Sequence, residues 1–104
     1  MTKITKFFYS FEVFPKNEKK FVEYMKNYGI PVMSKYCKNW QLFKQKATLR
    51  GDNVPQYTGY FEIPDIDTFF KTNPPEEMVM AIEVATKVCS NVKEWIGEQI
   101  ASNI

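Results

Sequence analysis

"QYTGYFEIPDIDTFF", residues 56–70, is the stretch on which the reading of the fold turns. Tyr57, Gly59, Phe61 and Ile63 alternate with Thr58, Tyr60 and Glu62, the period-two pattern of a strand whose side chains point to opposite faces. Both sets contain bulky residues, so neither face suits open water. The acidic residues Asp65 and Asp67 then offer caps for a helical element in which Phe69 and Phe70 pack inward.

Upstream, "WQLFKQKATL", residues 40–49, alternates in the same way. Trp40, Leu42, Lys44, Lys46 and Thr48 share one face, and Gln41, Phe43, Gln45, Ala47 and Leu49 the other. "RGDNVP" has turn chemistry and joins the two strands as a hairpin. A register with Lys46 opposite Tyr60 and Lys44 opposite Glu62 follows from that turn. Further upstream, "ITKFFYSFEVF", residues 4–14, has strand composition, with Phe7, Tyr9, Phe11 and Val13 on one face and Phe8, Ser10, Glu12 and Phe14 on the other. Glu12 shares a face with Glu62, but antiparallel neighbours put them near opposite ends, which argues against a carboxylate dyad.

Between the first two strands, Asn17 offers a cap to a helix whose stripe is Phe21, Tyr24, Met25 and Tyr28. Gly29 suits a left-handed stop, and Pro31 predicts a break before a second short helical piece carrying Val32 and Tyr36. Downstream, Asn73, Pro74 and Glu76 read as a fresh helix start, followed by a stripe of Met78, Ala81, Ile82, Ala85, Val88 and Cys89. The tail, residues 91–104, fits a helix with Val92, Trp95, Ile96 and Ile100 inward. It also fits a strand with Val92, Ile96 and Ile100 on the face shared with Glu94 and Glu98.

Strand, helix, strand, strand, helix and a possible last strand is the order of a ferredoxin-like α+β fold, βαββα(β), in one domain over residues 1–104. Two helices cover one side of such a sheet. The bare side then holds Phe8, Phe14, Trp40, Leu42 and Tyr60, or their neighbours of opposite parity, and a second copy of the chain packed sheet to sheet is its natural cover.

On these residues the chain resembles the dimeric α/β barrel superfamily, which includes antibiotic-biosynthesis monooxygenase-like, muconolactone isomerase-like, EthD-like and stress-responsive barrel proteins. "FFYSFEVFPKNEKKFVEYM" is similar to the first strand, turn and amphipathic helix, "GIPVMSKYCKNWQLFKQ" to the broken helix end and second strand, and "YTGYFEIPDIDTFF" to the third strand and following helix. The resemblance implies a homodimer, a small-molecule pocket between sheet and helices, and an activity that is cofactor-free and monooxygenase- or isomerase-like, or else non-catalytic binding of a ligand or protein. Where such proteins are enzymes, His often serves as haem ligand or acid/base; this chain has no His.

Composition narrows the chemistry. The absence of His removes Ser-His and Cys-His nucleophile systems and most transition-metal sites. Cys37 and Cys89 form no C-x-x-C pair, and no metal or cofactor is expected. The net charge of +2 and a single arginine, Arg50, give little reason to expect a nucleic-acid or membrane partner. "TGYFEI" has a faint likeness to the RNA-recognition-motif pattern, without its leading basic residue, its small residue before the second aromatic or its following Val. No secretory leader or membrane-length apolar run is evident, and a reduced, cytoplasmic protein is expected.

The candidate pocket or interface residues are therefore Tyr9, Tyr24, Trp40, Lys44, Tyr57, Tyr60 and Glu62. The aromatic members suit core or interface packing first, and otherwise a flat ligand held by ring stacking and a phenol donor. Lys44 and Glu62 read as a cross-strand ion pair or as a base in a dry pocket. Cys37, between Lys35 and Lys38, reads as an activated thiol or as an inert one at a helix end.

Overall fold

The computed structural model describes residues 4–63, 67, 71 and 75–103. Its elements are β1 (Thr5–Val13), α1 (Pro15–Tyr24), a π-helical segment (Met25–Gly29), α2 (Ile30–Tyr36), β2 (Lys38–Lys44), β3 (Tyr57–Ile63), α3 (Glu76–Thr86) and β4 (Cys89–Glu98). The strands form one antiparallel sheet in the order β2-β3-β1-β4, so the first and third strands occupy the middle. This is the ferredoxin-like α+β architecture. The helical element expected over 64–73, with Phe69 and Phe70, lies outside the described residues apart from Asp67 and Lys71, as do Asn73 and Pro74.

Parity decides what β3 buries. In β3, Tyr57, Gly59, Phe61 and Ile63 are all buried, whereas Thr58, Tyr60 and Glu62 between them are half-buried. The register pairs Phe7 with Phe61, Tyr9 with Gly59 and Phe11 with Tyr57, so the helix-covered face of β1 is Phe7, Tyr9, Phe11 and Val13. Burial gathers in two clusters. Met33, Cys37, Phe61, Ile63 and Met78 form one. Phe11, Val13, Phe21 and Tyr57 form the other, and Tyr9 packs against both. Truncating a side chain as enclosed as Phe21 to Ala costs about 3–5 kcal/mol.

Four sequence expectations are corrected. First, β2 runs only to Lys44, and residues 45–56 form a long connection in place of a tight hairpin turn. Lys44 stands opposite Tyr57 and Gln41 opposite Tyr60; Lys38, across a bulge, is opposite Glu62. Trp40 and Leu42 consequently join the helix-covered face, packing against the two clusters. The short turn that was to set the register is absent, and Asn39, in the left-handed region at φ 54°, carries the bulge.

Second, α1 begins at Pro15 with Phe14 as its cap, and Asn17 donates its backbone N–H to the Phe14 carbonyl at 2.8 Å. Phe14 thus leaves the sheet. Third, Gly29 is right-handed (φ −60°), and the helix continues through a widened turn in which Ile30 N–H reaches back to the Met25 carbonyl. An i→i−5 turn relieves the clash that Pro31 imposes on a regular helix. Gly29 matters here for closeness, since a Cβ would lie 2.9 Å from the Met25 sulfur. Fourth, α3 ends at Thr86, before Val88 and Cys89, and the ambiguous tail is strand over Cys89–Glu98. Opposite Phe11 the β1–β4 pairing is interrupted by a second bulge, with Asn91 at φ 52°.

The uncovered face carries a row of rings that crosses the sheet from edge to edge. Phe43 of β2 meets Tyr60 of β3 with centroids 6.2 Å apart. Tyr60 meets Phe8 of β1 at 5.7 Å, and Phe8 stacks on Trp95 of β4 at 5.7 Å with planes 5° apart. Lys6 lies 4.4 Å over the Tyr60 ring. Trp95 and Phe43 are each about half exposed, at 45% and 53%. None of the helices among the described residues is long and apolar enough to cross a membrane.

Candidate functional site

Between the helix-covered face and the helices lies a cavity of about 110 Å³. It opens where the two core clusters fail to meet. Tyr9, Phe11 and Phe61 form its floor, and Phe21, Met25 and Met33 its roof. Toward β4 it reaches Val92 and Glu94; toward β2 it reaches Trp40 and Leu42. Its lining is apolar apart from a few groups; an apolar cavity of about 150 Å³ binds benzene, so this somewhat smaller space admits a single ring with a small shift of its lining side chains.

Tyr9 is positioned by the residue it covers. Gly59, directly opposite, has no side chain, and the Tyr9 ring occupies that room: a Cβ on Gly59 would lie 2.4 Å from the phenol carbon and oxygen. The Tyr9 hydroxyl donates to the Gln41 carbonyl at 3.1 Å. Its ring stacks on Phe11 at 6.1 Å and Trp40 at 6.2 Å. Burial, with a smaller contribution from Cys37, raises the phenol well above its ordinary range, so it stays neutral.

A second concavity, a groove of about 430 Å³, flanks β2 on the α1 side. Phe21, Met25, Trp40 and Leu42 line both the cavity and the groove and form the wall between them. Among the described residues, Lys26 and Lys44 are the only charged ones on the groove lining, and Glu94 is the only one on the cavity lining. At the groove's end, Lys44 pairs with Glu18, which also accepts a hydrogen bond from the Tyr57 hydroxyl at 2.7 Å. The Lys44 and Tyr57 contacts lower the Glu18 carboxyl, while burial and the Glu18 bond push Tyr57 up to about 12.

The candidate residues named from sequence separate into four places. Tyr9 and Trp40 meet in the cavity, and Lys44 and Tyr57 meet at the groove. Tyr60 and Glu62 lie on the opposite, uncovered face, where Glu62 is flanked in register by Lys6 and Lys38, so the proposed Lys44–Glu62 pair does not exist. Glu12 and Glu62 stand toward opposite ends of the sheet, opposite Ser90 and Lys6 respectively. Tyr24 points to α3, donating to the Ala81 carbonyl at 3.3 Å. Cys37 is buried and its thiol is pushed up to about 11 by burial, which makes it inert; Cys89 is raised likewise, to about 11. Met25, Met33 and Glu94 were missed as lining. The stripe of α1 signalled Met25, and the parity of the tail as a strand signalled Glu94.

No group of three or more metal-ligating side chains that could hold a metal ion occurs among the described residues. The sequence matches no protein-family profile and no curated protein. Similar solved structures include an EthD-family protein from Bacillus halodurans (TM-score 0.71, 15% identity, 93% of this chain and 99% of that one). HapK from Hahella chejuensis is similar with a TM-score of 0.73 at 14% identity, covering 96% of each chain. A dimeric ferredoxin-like protein of unknown function from Thermobifida fusca follows with a TM-score of 0.66 at 8% identity, covering 95% of this chain and 93% of that one. The chain has a ferredoxin-like fold, as the Thermobifida structure does.

Proposed function

We propose that this chain is a homodimeric α/β-barrel protein that binds a small, flat, hydrophobic or aromatic metabolite in the cavity between sheet and helices. The observation that carries the reading is the ring-sized apolar space at the junction of the two core clusters, floored by Tyr9. A well-packed core of this size closes such spaces, because cavities cost stability unless something fills them. Sheet-to-sheet pairing is supported by the Phe43–Tyr60–Phe8–Trp95 row, an uncovered apolar patch of a kind that monomers seldom carry, and by the dimeric description of the Thermobifida structure. The same pairing covers the rings that an RNA-binding sheet would need bare.

Binding without turnover is the favoured form. Of the titratable groups on the cavity lining, Tyr9 and Cys89 keep their protons because burial disfavours the charged forms, which makes them poor bases near neutral pH. Among the described lining residues only Glu94 offers a carboxylate, at the solvent-exposed β4 end. A cofactor-free monooxygenase- or isomerase-like reaction would have to run through it. A thermal-shift screen of single-ring aromatics followed by turnover assays tests the reading: stabilisation by ring compounds is expected. No stabilisation by any ring compound refutes it, and turnover that survives Glu94→Gln removes the assignment of chemistry to that carboxylate.

A further inference from the structure

We infer that the cavity and the groove are two compartments of one site for an amphiphile with an anionic end: an apolar ring in the cavity, a short chain past Met25, and a carboxylate-type head in the groove by Lys26. This rests on the cavity being a ligand site and adds the ligand's class and direction. Three observations carry it. The compartments share Phe21, Met25, Trp40 and Leu42, so only side chains part them. Of these, Met25 is an unbranched thioether that adapts its shape readily. It belongs to the π-helical segment, where its sulfur sits in the space that the missing side chain of Gly29 leaves.

Charge then fixes the direction. Among the described residues, the only charged group at the β4 end of the cavity is Glu94, which repels an anion, and the groove at the β2 end has Lys26 and Lys44 and no acid on its lining. Lys44 is engaged by Glu18, whereas Lys26 makes no ion pair among the described residues and is the cation free to meet the head group. β2 and β4 are the two outer strands, so the two ends of the site lie at opposite edges of the sheet.

Isothermal titration calorimetry of the full chain with 4-phenylbutanoate, 4-phenyl-1-butanol, 4-phenylbutylammonium and toluene tests this. The carboxylate is expected to bind about fivefold more tightly than the alcohol, as one partly exposed ion pair provides, with the ammonium weakest. Lys26→Glu should reverse the order of carboxylate and ammonium, and Lys26→Ala should level carboxylate and alcohol, with circular dichroism confirming that each variant is folded. Equal affinities for the three chain compounds, or an order unchanged in folded Lys26→Glu, overturn the inference. If toluene binds and the chains add nothing, the two-compartment site is wrong while the cavity reading stands. If neither toluene nor any chain compound binds, the cavity reading itself falls.

Discussion

Replacing Gly59 by Ala tests the contact on which both the sheet and the cavity floor depend. The added Cβ lands 2.4 Å from the Tyr9 ring and 2.5 Å from the Gln41 carbonyl oxygen, whereas carbon contacts settle near 3.5–4.0 Å. The carbonyl belongs to the β2 backbone and yields only if the strand moves. The ring is held by stacking on Phe11 and Trp40 and by its bond to the same carbonyl. Overpacking of this kind costs about 1–3 kcal/mol, and losing the hydrogen bond adds about 1 kcal/mol. The expected loss is therefore about 2–4 kcal/mol, or a drop in Tm of roughly 10–20 °C for a domain of this size. Urea denaturation at fixed protein concentration reads the first figure and thermal melting the second. A double-mutant cycle sharpens the test: Tyr9→Phe alone costs about 1 kcal/mol, but nothing further once Gly59→Ala has displaced the ring. A single-mutant loss below about 0.5 kcal/mol, within the range of an ordinary surface change, or full additivity in the cycle, refutes the account.

On the uncovered face, Trp95→Glu is expected to convert the proposed dimer to protomers in light scattering while circular dichroism stays folded; an unchanged mass would mean that the ring row is not the interface. Stability should decline above about pH 9. The folded state holds protons on Cys37 and Cys89 (each raised from 9.0 to about 11) and on Tyr57 (from 10.0 to about 12) more tightly than the unfolded chain does. Their contribution is thus complete below the unfolded values and disappears as pH rises through the folded ones; denaturation midpoints that hold level from pH 9 to 12 contradict it. Glu18→Gln should lower the Tyr57 phenol toward its ordinary value, read by ultraviolet titration of phenolate. It also removes the anchor of Lys44, and an unmoved Tyr57 titration would show that burial alone sets it.

The element order and the alternation of β1 and β3 were legible in the sequence, and β3 buries strictly by parity from Tyr57 to Ile63, whereas in β1 Ser10, on the other parity, is buried too. The side to which Trp40 and Leu42 belong was not legible. Register on an outer strand is inherited from its connection, and residues 45–56 are too long to transmit one. Nor could the tail be resolved locally: Val92, Ile96 and Ile100 satisfy either period, and only pairing with β1 selects strand. The candidate list mixed two surfaces for the same reason. An alternating aromatic strand advertises stickiness on both sides without saying which side meets helices, so Tyr60 was grouped with Tyr9. The cavity itself leaves no sequence signal, since it results from where two clusters stop short of each other.

Among the described residues, the bulges of the sheet fall on its two outer strands, at Asn39 and Asn91, and both asparagines are left-handed. A kinked rim presents no straight run of free amides to a neighbouring chain. Sideways growth into ribbons or fibrils is blunted at both margins, while flat stacking is left open. Such a molecule can be sticky and still stop at two.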